Sequence, residues 1–439
     1  MVRVCTCILY IALVLTTNAA VCQSPATADV TTAATTLALA QAESIAIANQ
    51  PRILAAQFRS RAAAERIREA QSSLFPTLAF NATGVSVADT GTSTAAGSIT
   101  TSSISDRFAY GGNLVQMVTD FGRTNALVGS ERSLTEAQKD VATLTGAQIR
   151  LNVRRAYFQV MGAEAVLRAA REAQSNRQLI SKQIGALAQS QLRSTMDVNF
   201  AAVLESEAEL AVVRAESAVQ QQRSHLATAM GESQPVTATL IEEALPVALP
   251  PDASSFLAQA MAQRADLKAT IARQDAAQRF ATAEKRLSYP TLNVVGAAGE
   301  IPYHDHTLHD NYAAIGFNLN IPVLNGGLFE ARRNEAQLET RARTQDVNEA
   351  KLEVSEQVRN QWYQASEAYR SLDVSARLVA QTKEALRLAQ ARYEIGLGSI
   401  VELNEAQLNE TSAEITAAGA NYDYLTRRAE LDYAAGLLN

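Results

Sequence analysis

The sequence contains few of the residues that cross-link a chain or interrupt regular structure. Its 439 residues include 3 cysteines, 10 prolines and 20 glycines. Because Cys5, Cys7 and Cys22 all lie near the N-terminus, they exclude a disulfide framework in the rest of the chain. No later run of about 18 apolar residues is present, so we expect no membrane-spanning helix. The net charge of −6 argues against a surface that binds nucleic acid.

Catalytic motifs are also missing. His225, on a predicted helix, has no nucleophile elbow, phosphate-binding loop or His-Glu metal motif around it. We therefore predict that the protein is not an enzyme and needs no cofactor. The abundant residues are Ala, Gln, Glu, Arg and Leu, the composition of long helices and coiled coils.

The N-terminus has the three parts of an export signal. Arg3 provides the positive charge, Ile8–Leu15 provide an apolar core, and small residues follow. We predict that residues 1–22 are a signal peptide and that the protein is exported. Cys22 also resembles a lipidation site, although Val21 before it is larger than such sites normally accept; ordinary cleavage nearby is the alternative.

The chain repeats itself at an offset of 205 residues. Four pairs of landmarks share this offset: Asp120 with Asn325, Gln159 with Gln364, Asp197 with Glu402, and Gly231 with Gly436. We predict two structural repeats, residues 23–231 and 253–439, each with the order helix, strand, strand, very long helix, second helix. Residues 232–252 between them carry four prolines and are predicted to be a linker.

Each repeat should contain a helix of unusual length. No proline occurs between Pro76 and Pro235 or after Pro322. From Asp120 to about Gln191 apolar residues recur at steps of three and four, and the second repeat has the same pattern, as in coiled coils. A helix of about 70 residues would span roughly 100 Å, which exceeds the diameter of a compact domain.

Four stretches alternate apolar and polar residues, at about 77–88, 104–118, 291–301 and 311–321, and are predicted to be strands. Each is about 10 residues long, the length that a tilted strand needs to cross a bilayer. Aromatic residues cluster at their ends, as they do at membrane interfaces.

Prolines mark the junctions between these strands and the helices. Pro76 and Pro290 stand where a helix hands over to a strand, and Pro322 stands where a strand hands over to a helix. Because proline has no N–H, it ends helical hydrogen bonding at such a junction.

Four strands cannot close into a barrel, and an open sheet edge is excluded from the hydrocarbon core of a membrane. If the strands cross a membrane, the chain must therefore associate. Two copies would give eight strands around a filled interior, whereas three would give twelve strands and leave room for a channel. A coiled-coil scaffold without a pore is the alternative, but it gives no reason for four strands of bilayer length.

The duplicated organisation and the motifs "FPTL", "YPTL", "DFGR" and "YEIGLGSIVELNEAQ" resemble the TolC family of outer-membrane efflux proteins, over about Leu37 to Gly436. The resemblance implies a mainly α-helical protein with a membrane β part. Three chains, with four strands each, would form one twelve-stranded barrel in the outer membrane, continued by a coiled-coil barrel of helices through the periplasm. It implies a passive exit duct of a tripartite efflux or secretion system, which works with a periplasmic adaptor protein and an inner-membrane transporter.

The resemblance also implies a gate at the periplasmic mouth, where the long helices turn back. Tyr393 matches a tyrosine that ties to an aspartate of the neighbouring hairpin, and Asp197 matches that aspartate. Glu402 and Glu405 match acidic residues that form rings around the pore, although a solvated helix face is the alternative for both. An arginine that strengthens the closed mouth in some members is replaced here by Gly398, so we expect a looser gate or one secured in another way.

The adaptor protein is expected to dock on the same turns. Ile395, Gly396 and Leu397, followed by Gly398, match a Val-Gly-Leu-like triplet of the family, and Leu192 occupies the corresponding turn of the first repeat. Because a helix reversal favours glycine, the two glycines also have a purely structural explanation.

One segment has residues of the type that bind metal ions. "HDHTLHD" contains His304, His306 and His309, and histidines of this kind can hold zinc or copper. The repeat places the segment in a loop between two predicted membrane strands, so we interpret it as a polar loop and predict no metal site. A duct for metal ions remains an alternative.

Overall fold

A computed structural model describes residues 36–86, 106–191, 193–244, 248–304 and 309–439. The predicted signal peptide lies outside these residues, and so do residues 87–88 of the first predicted strand and residues 104–105 of the second. The described helices are α1 Leu39–Asn49, α2 Pro51–Ser72, α3 Arg123–Gln189, α4 Thr195–Met230, α5 Ser254–Gln263, α6 Ala265–Lys285, α7 Leu328–Glu394 and α8 Ile400–Ala434. The described strands are β1 Thr36–Leu37, β2 Thr77–Val85, β3 Arg107–Thr119, β4 Thr239–Leu240, β5 Thr291–Tyr303 and β6 Asn311–Asn320.

The two repeats have the same backbone. Helices α3 and α7 each contain 67 residues, and each begins directly after a left-handed glycine, Gly122 with φ 88° and Gly327 with φ 82°. Gly231 and Gly436, which follow the second long helix of each repeat, are left-handed as well, with φ 80° and 77°. The predicted duplication is therefore confirmed, with the same offset of 205 residues.

The long helices are held by narrow stripes of buried residues. In α7 the buried positions include Val347, Val354, Val358 and Ala365. They are separated by seven, four and seven residues, which places them on one side of the helix. Such a stripe lets one side of a helix pack while the remainder stays polar and exposed. At 1.5 Å per residue, each 67-residue helix spans about 100 Å, as predicted.

The helices form a layer in which the packed neighbours change along its length. Near the strands the packed order is α2, α3, α6, α7, and near the hairpin turns it is α4, α3, α8, α7. In both regions α7 lies at one edge of the layer, and α2 or α4 lies at the other. None of the helices in the described part of the chain is long and apolar enough to cross a membrane.

The centre of the helical layer is tied to the short strands β1 and β4, which pair in parallel. The side chain of Tyr157 on α3 is fully buried, and its hydroxyl lies 2.9 Å from the carbonyl oxygen of Leu37 and 2.6 Å from that of Ile241. Burial raises the pKa of Tyr157 to about 12, so this hydroxyl stays a donor. These contacts join the beginning of the described chain to the region between the repeats.

The other four strands form one antiparallel sheet in the order β2, β3, β5, β6. The two repeats meet at the β3–β5 pair, and β2 and β6 are the edges. Pro76 and Pro290 directly precede β2 and β5, and Pro322 lies between β6 and α7.

Candidate functional site

One face of the four-stranded sheet is apolar and exposed. Residues directly opposite one another in antiparallel strands share a face, so the register assigns the members of this surface. Its most exposed large side chains, from 52% to 84% accessible, are Leu78 and Phe80 on β2 and Ile315, Phe317 and Leu319 on β6. An apolar surface of this kind is suited to lipid and not to water.

The opposite face of the sheet carries carboxamide side chains. The Nδ2 of Asn81 donates to Oδ1 of Asn113 at 2.6 Å, and Asn293 stands directly opposite Asn318 in the register. Asn320 lies on the same face, two residues further along β6. The asparagines therefore share one side of the sheet, together with Val115 and Val295 of the central strands, whereas the most exposed large apolar side chains of β2 and β6 share the other side.

Among the residues that the structure describes, strands β2 and β6 end the sheet without a partner strand. Their outer backbone N–H and C=O groups need hydrogen-bond partners wherever water is absent. The helical layer has edges of the same kind. Exposed apolar side chains on the edge helices include Phe58 on α2, Val213 on α4 and Leu352 on α7. The chain is thus incomplete along both sides from the strands to the hairpin turns.

At the other end of the molecule, α3 turns into α4 and α7 turns into α8. Gln191 in the first turn and Gly396 in the second are both left-handed, with φ 59° and 80°. The following helices start on Ser194 and Ser399, whose Oγ atoms accept the backbone N–H groups of Asp197 and Glu402 at 3.2 and 3.1 Å. Each turn therefore places an acidic residue in the first turn of a helix, where the helix dipole favours negative charge.

The predicted gate tyrosine lies between the two hairpins. Tyr393 is 6% exposed and packs in a small apolar cluster with Ile184, Ile400 and Leu403. Its hydroxyl is buried without a hydrogen-bond partner among the described residues. Burial raises the pKa of this hydroxyl.

The predicted partner of Tyr393 makes a different contact. The nearby Arg193 lowers the pKa of Tyr393 and Asp197 raises it, so both charges are close to the ring. The Asp197 carboxylate, however, accepts the backbone N–H of Ser194 at 3.3 Å and thereby caps α4. A tyrosine–aspartate tie is not formed in the single chain, and this role of the pair stays a prediction.

The predicted ring acids Glu402 and Glu405 are exposed in the single chain. Glu402 forms an ion pair with Arg392, with 3.3 Å between Oε1 and Nε. Arg392 also donates through Nη2 to the carbonyl oxygen of Leu397 at 3.4 Å. Sequence reasoning missed Arg392, although its position directly before Tyr393 could have indicated it. The ring arrangement stays a prediction.

The predicted adaptor-docking turn is an exposed apolar tip. Ile395 and Leu397 are 70% and 71% exposed on either side of Gly396. A Cβ at Gly398 would lie 3.1 Å from the backbone N of Tyr393 and 3.2 Å from Cβ of Arg392, closer than nearly all real contacts. The absence of a side chain at residue 398 thus has a local packing reason. Leu192 lies outside the described residues.

The histidine-rich segment is only partly described. The Nε2 of His304 lies 2.9 Å from Oδ1 of Asp310, and His309 is exposed. His306 lies outside the described residues. Within the part of the chain that the structure describes, no three His, Cys, Asp or Glu residues come together as a metal site.

The sequence matches a family model in two stretches, residues 42–232 and 256–437, and the model is that of the outer membrane efflux protein family. The chain belongs to this family. The two outer membrane efflux stretches coincide with the two repeats, so the resemblance, the internal duplication and the fold are confirmed. Since members are outer-membrane channel proteins, the family also confirms an outer-membrane location with a periplasmic extension and a non-enzymatic role.

Known proteins that are similar in sequence to this chain include two that are named outer membrane protein TolC. The protein from Salmonella enteritidis is 24% identical over 349 residues, which cover 74% of this chain and 68% of the relative. The protein from Escherichia coli (strain K12) is 24% identical over 346 residues, which cover 74% and 69%.

Two solved structures share the fold over 91% of this chain. CusC superimposes with a TM-score of 0.79 at 17% identity and is covered over 92% of its length. The outer membrane protein VceC from Vibrio cholerae superimposes with a TM-score of 0.76 at 19% identity and is covered over 96%.

Proposed function

We propose that three copies of this chain form a passive duct that carries substrates from the periplasm through the outer membrane. The observation that carries this proposal is the four-stranded sheet, with one apolar face, one face that carries asparagines, and two edges that have no partner strand among the described residues. A sheet of this kind satisfies its backbone in a membrane only when its edges pair with other chains.

The carboxamide face favours three copies over two. Eight strands enclose an interior that side chains fill, whereas twelve leave an aqueous lumen. The inward-facing asparagines, including Asn81, Asn113 and Asn318, are polar groups that need water or other polar partners. Three chains would surround a hydrated lumen with these amides and turn Phe80 and Phe317 toward lipid.

The helical layer supports the same assembly. Its apolar edge residues lie on α7 on one side and on α2 and α4 on the other. Pairing β6 of one copy with β2 of the next brings these helical edges together as well. The barrel would then continue directly into a tunnel of helices that ends at the hairpin turns.

The turns supply the features of a mouth and of a docking surface. In a trimer, three copies each of Glu402 and Glu405 would approach the threefold axis and attract cations. The exposed tip at Ile395 and Leu397 would dock a periplasmic adaptor protein, which in turn would connect the duct to an inner-membrane transporter. These partners would supply the energy, because members of the family are channel proteins and not enzymes.

Planar-bilayer recordings of the purified protein, with its mass in detergent measured in parallel, test the duct. We expect a trimer that gives discrete channel currents with a preference for cations. Replacing Glu402 and Glu405 with Ala should lower that preference measured as a reversal potential. The double variant Glu349→Ala and Glu353→Ala, on α7 far from the turns, is the control for charge removal.

A soluble monomer, or a trimer that conducts nothing, would contradict the duct and favour a scaffold. Cation preference that is unchanged without Glu402 and Glu405 would remove these acids from the pore lining. The substrate class is addressed by comparing the susceptibility of a deletion strain to antibiotics, dyes and metal salts.

A further inference from the structure

The two hairpin turns carry an arginine at only one of two equivalent positions. Arg193 and Gly398 are related by the offset of 205 residues, and each directly precedes the serine that caps the next helix, Ser194 or Ser399. In the second turn this position, residue 398, is a glycine. In the first turn the equivalent position, residue 193, is an arginine.

Arg193 reaches from its own turn to the other hairpin. Its Nη2 donates to the backbone carbonyl oxygen of Tyr393 at 2.5 Å. Its Cζ lies 4.1 Å from the centre of the Tyr393 ring. The planar guanidinium can donate to the carbonyl and stack on the ring at the same time. A lysine ammonium could still donate, but it has no planar group to stack on the ring.

The contact is made at the C-terminal end of α7. The carbonyl of Tyr393 is one of the last of this helix and also accepts the N–H of Gly396 at 3.1 Å. Terminal carbonyls carry the negative end of the helix dipole, so a cation is favourable there. Residue 398 is a glycine, so the cation at this end of α7 comes from Arg193 of the opposite turn.

Arg392, which directly precedes Tyr393, contacts groups of its own hairpin. Arg392 contacts Glu402 and the carbonyl of Leu397, both of which belong to its own hairpin. The Tyr393 hydroxyl has no partner among the described residues, so the ring and the carbonyl of this residue, not its hydroxyl, join the two turns. Among these three residues, Arg193 alone provides a side chain that bonds across the hairpins.

We propose that Arg193 is a positioning residue that ties the two hairpin turns of each chain and thereby holds the periplasmic mouth closed. The proposal rests on the proposed function, in which these turns form the mouth. It assigns closure to an arginine–tyrosine contact within one chain. The predicted tyrosine–aspartate tie would instead depend on the Tyr393 hydroxyl.

Channel recordings on four variants test this assignment. Arg193→Ala should raise the open probability several-fold, and Arg193→Lys should give an intermediate value because it keeps a donor but loses the stacked plane. Arg387→Ala removes an exposed arginine of α7 that pairs with Glu384 on the same helix, so this matched control should behave like the unchanged protein. Tyr393→Phe keeps the ring and the carbonyl that Arg193 contacts, so it separates this tie from one made through the hydroxyl. The proposal is overturned if Arg193→Ala leaves gating unchanged or if Tyr393→Phe opens the channel to the same extent.

Hydrogen exchange measured by mass spectrometry gives a readout that does not require conduction. Arg193→Ala should accelerate exchange in both turns, at residues 186–199 and 391–404, whereas Arg392→Ala should accelerate it only in the second turn. Faster exchange confined to the first turn in Arg193→Ala would refute the tie. A protein that shows the expected exchange but conducts nothing would refute the duct and leave the tie intact.

Discussion

The two hairpin turns share one backbone and differ in the side chains that matter. Both have a left-handed residue, at Gln191 or Gly396, and both start the next helix on a capping serine. Tyr393 is buried in the second turn, and its counterpart in the first is Ala188. The two repeats share the hydrogen-bonded backbone of the turn. Their side chains differ, so that Arg193 of the first turn contacts Tyr393 of the second.

The largest difference between the turns should come from the buried ring. Tyr393→Ala removes a large side chain from the cluster between the hairpins and should cost about 3 kcal/mol or more of unfolding free energy. Ala188→Gly, at the equivalent position, should cost only about 1 kcal/mol through lost helix propensity. Denaturant unfolding followed by helical circular dichroism measures both, and equal losses would mean that the turns are energetically alike.

The left-handed residues should respond in opposite directions. Gly396→Ala places a Cβ at φ 80° and should cost roughly 1–2 kcal/mol. Gln191→Gly relieves a non-glycine residue at φ 59° and should be neutral or slightly stabilising. Melting temperatures of the two variants check the prediction. A loss of stability in Gln191→Gly would show that this side chain makes a contact that the backbone argument leaves out.

The smallest effect concerns the pH dependence of stability where the two hairpins pack together, farther from the turns. Burial, with Glu414 and Glu172 nearby, raises the pKa of Glu410 on α8 to about 7, although Lys383 opposes the rise. Because this pKa lies above the usual 4.5, the protonated carboxyl favours the folded state. The contribution is complete below about pH 4.5 and is lost as the pH rises through about 7.

Glu410→Gln should therefore weaken the fall in stability between about pH 4.5 and about pH 7. Thermal melts at several pH values measure this slope. A variant whose melting temperature falls as steeply as that of the unchanged protein would exclude Glu410 from the coupling.

Much of the architecture could be predicted because it depends on patterns that are local in the chain. Pro76 and Pro290 do stand directly before strands, and the apolar alternation around Phe317 gives the lipid-compatible face of the sheet. The lengths of α3 and α7 follow from the absence of proline and from sustained three-and-four spacing. In each case the physical cause acts over a few residues, so it can be read from neighbouring letters.

The candidate mouth could be predicted only in part. The positions of the turns and the acidic residues Asp197 and Glu402 at the starts of the helices were accessible from the sequence. The partners of Arg193 and Arg392 were not, because long side chains choose among groups that folding brings near. Arg193 and Tyr393 are 200 residues apart in the chain, and no local pattern relates them.

The sequence by itself determined the duplicated order of elements, the lengths of the helices and strands, and which face of each strand is apolar. Proline and glycine positions and the periods of the apolar residues are enough for this, since each acts on the backbone nearby. Only the tertiary structure decided that the repeats meet at β3 and β5, that β2 and β6 are the outer strands of the described sheet, and that Arg193 rests on Tyr393. Those outcomes depend on distances between residues far apart in the chain, which are set when the whole layer packs.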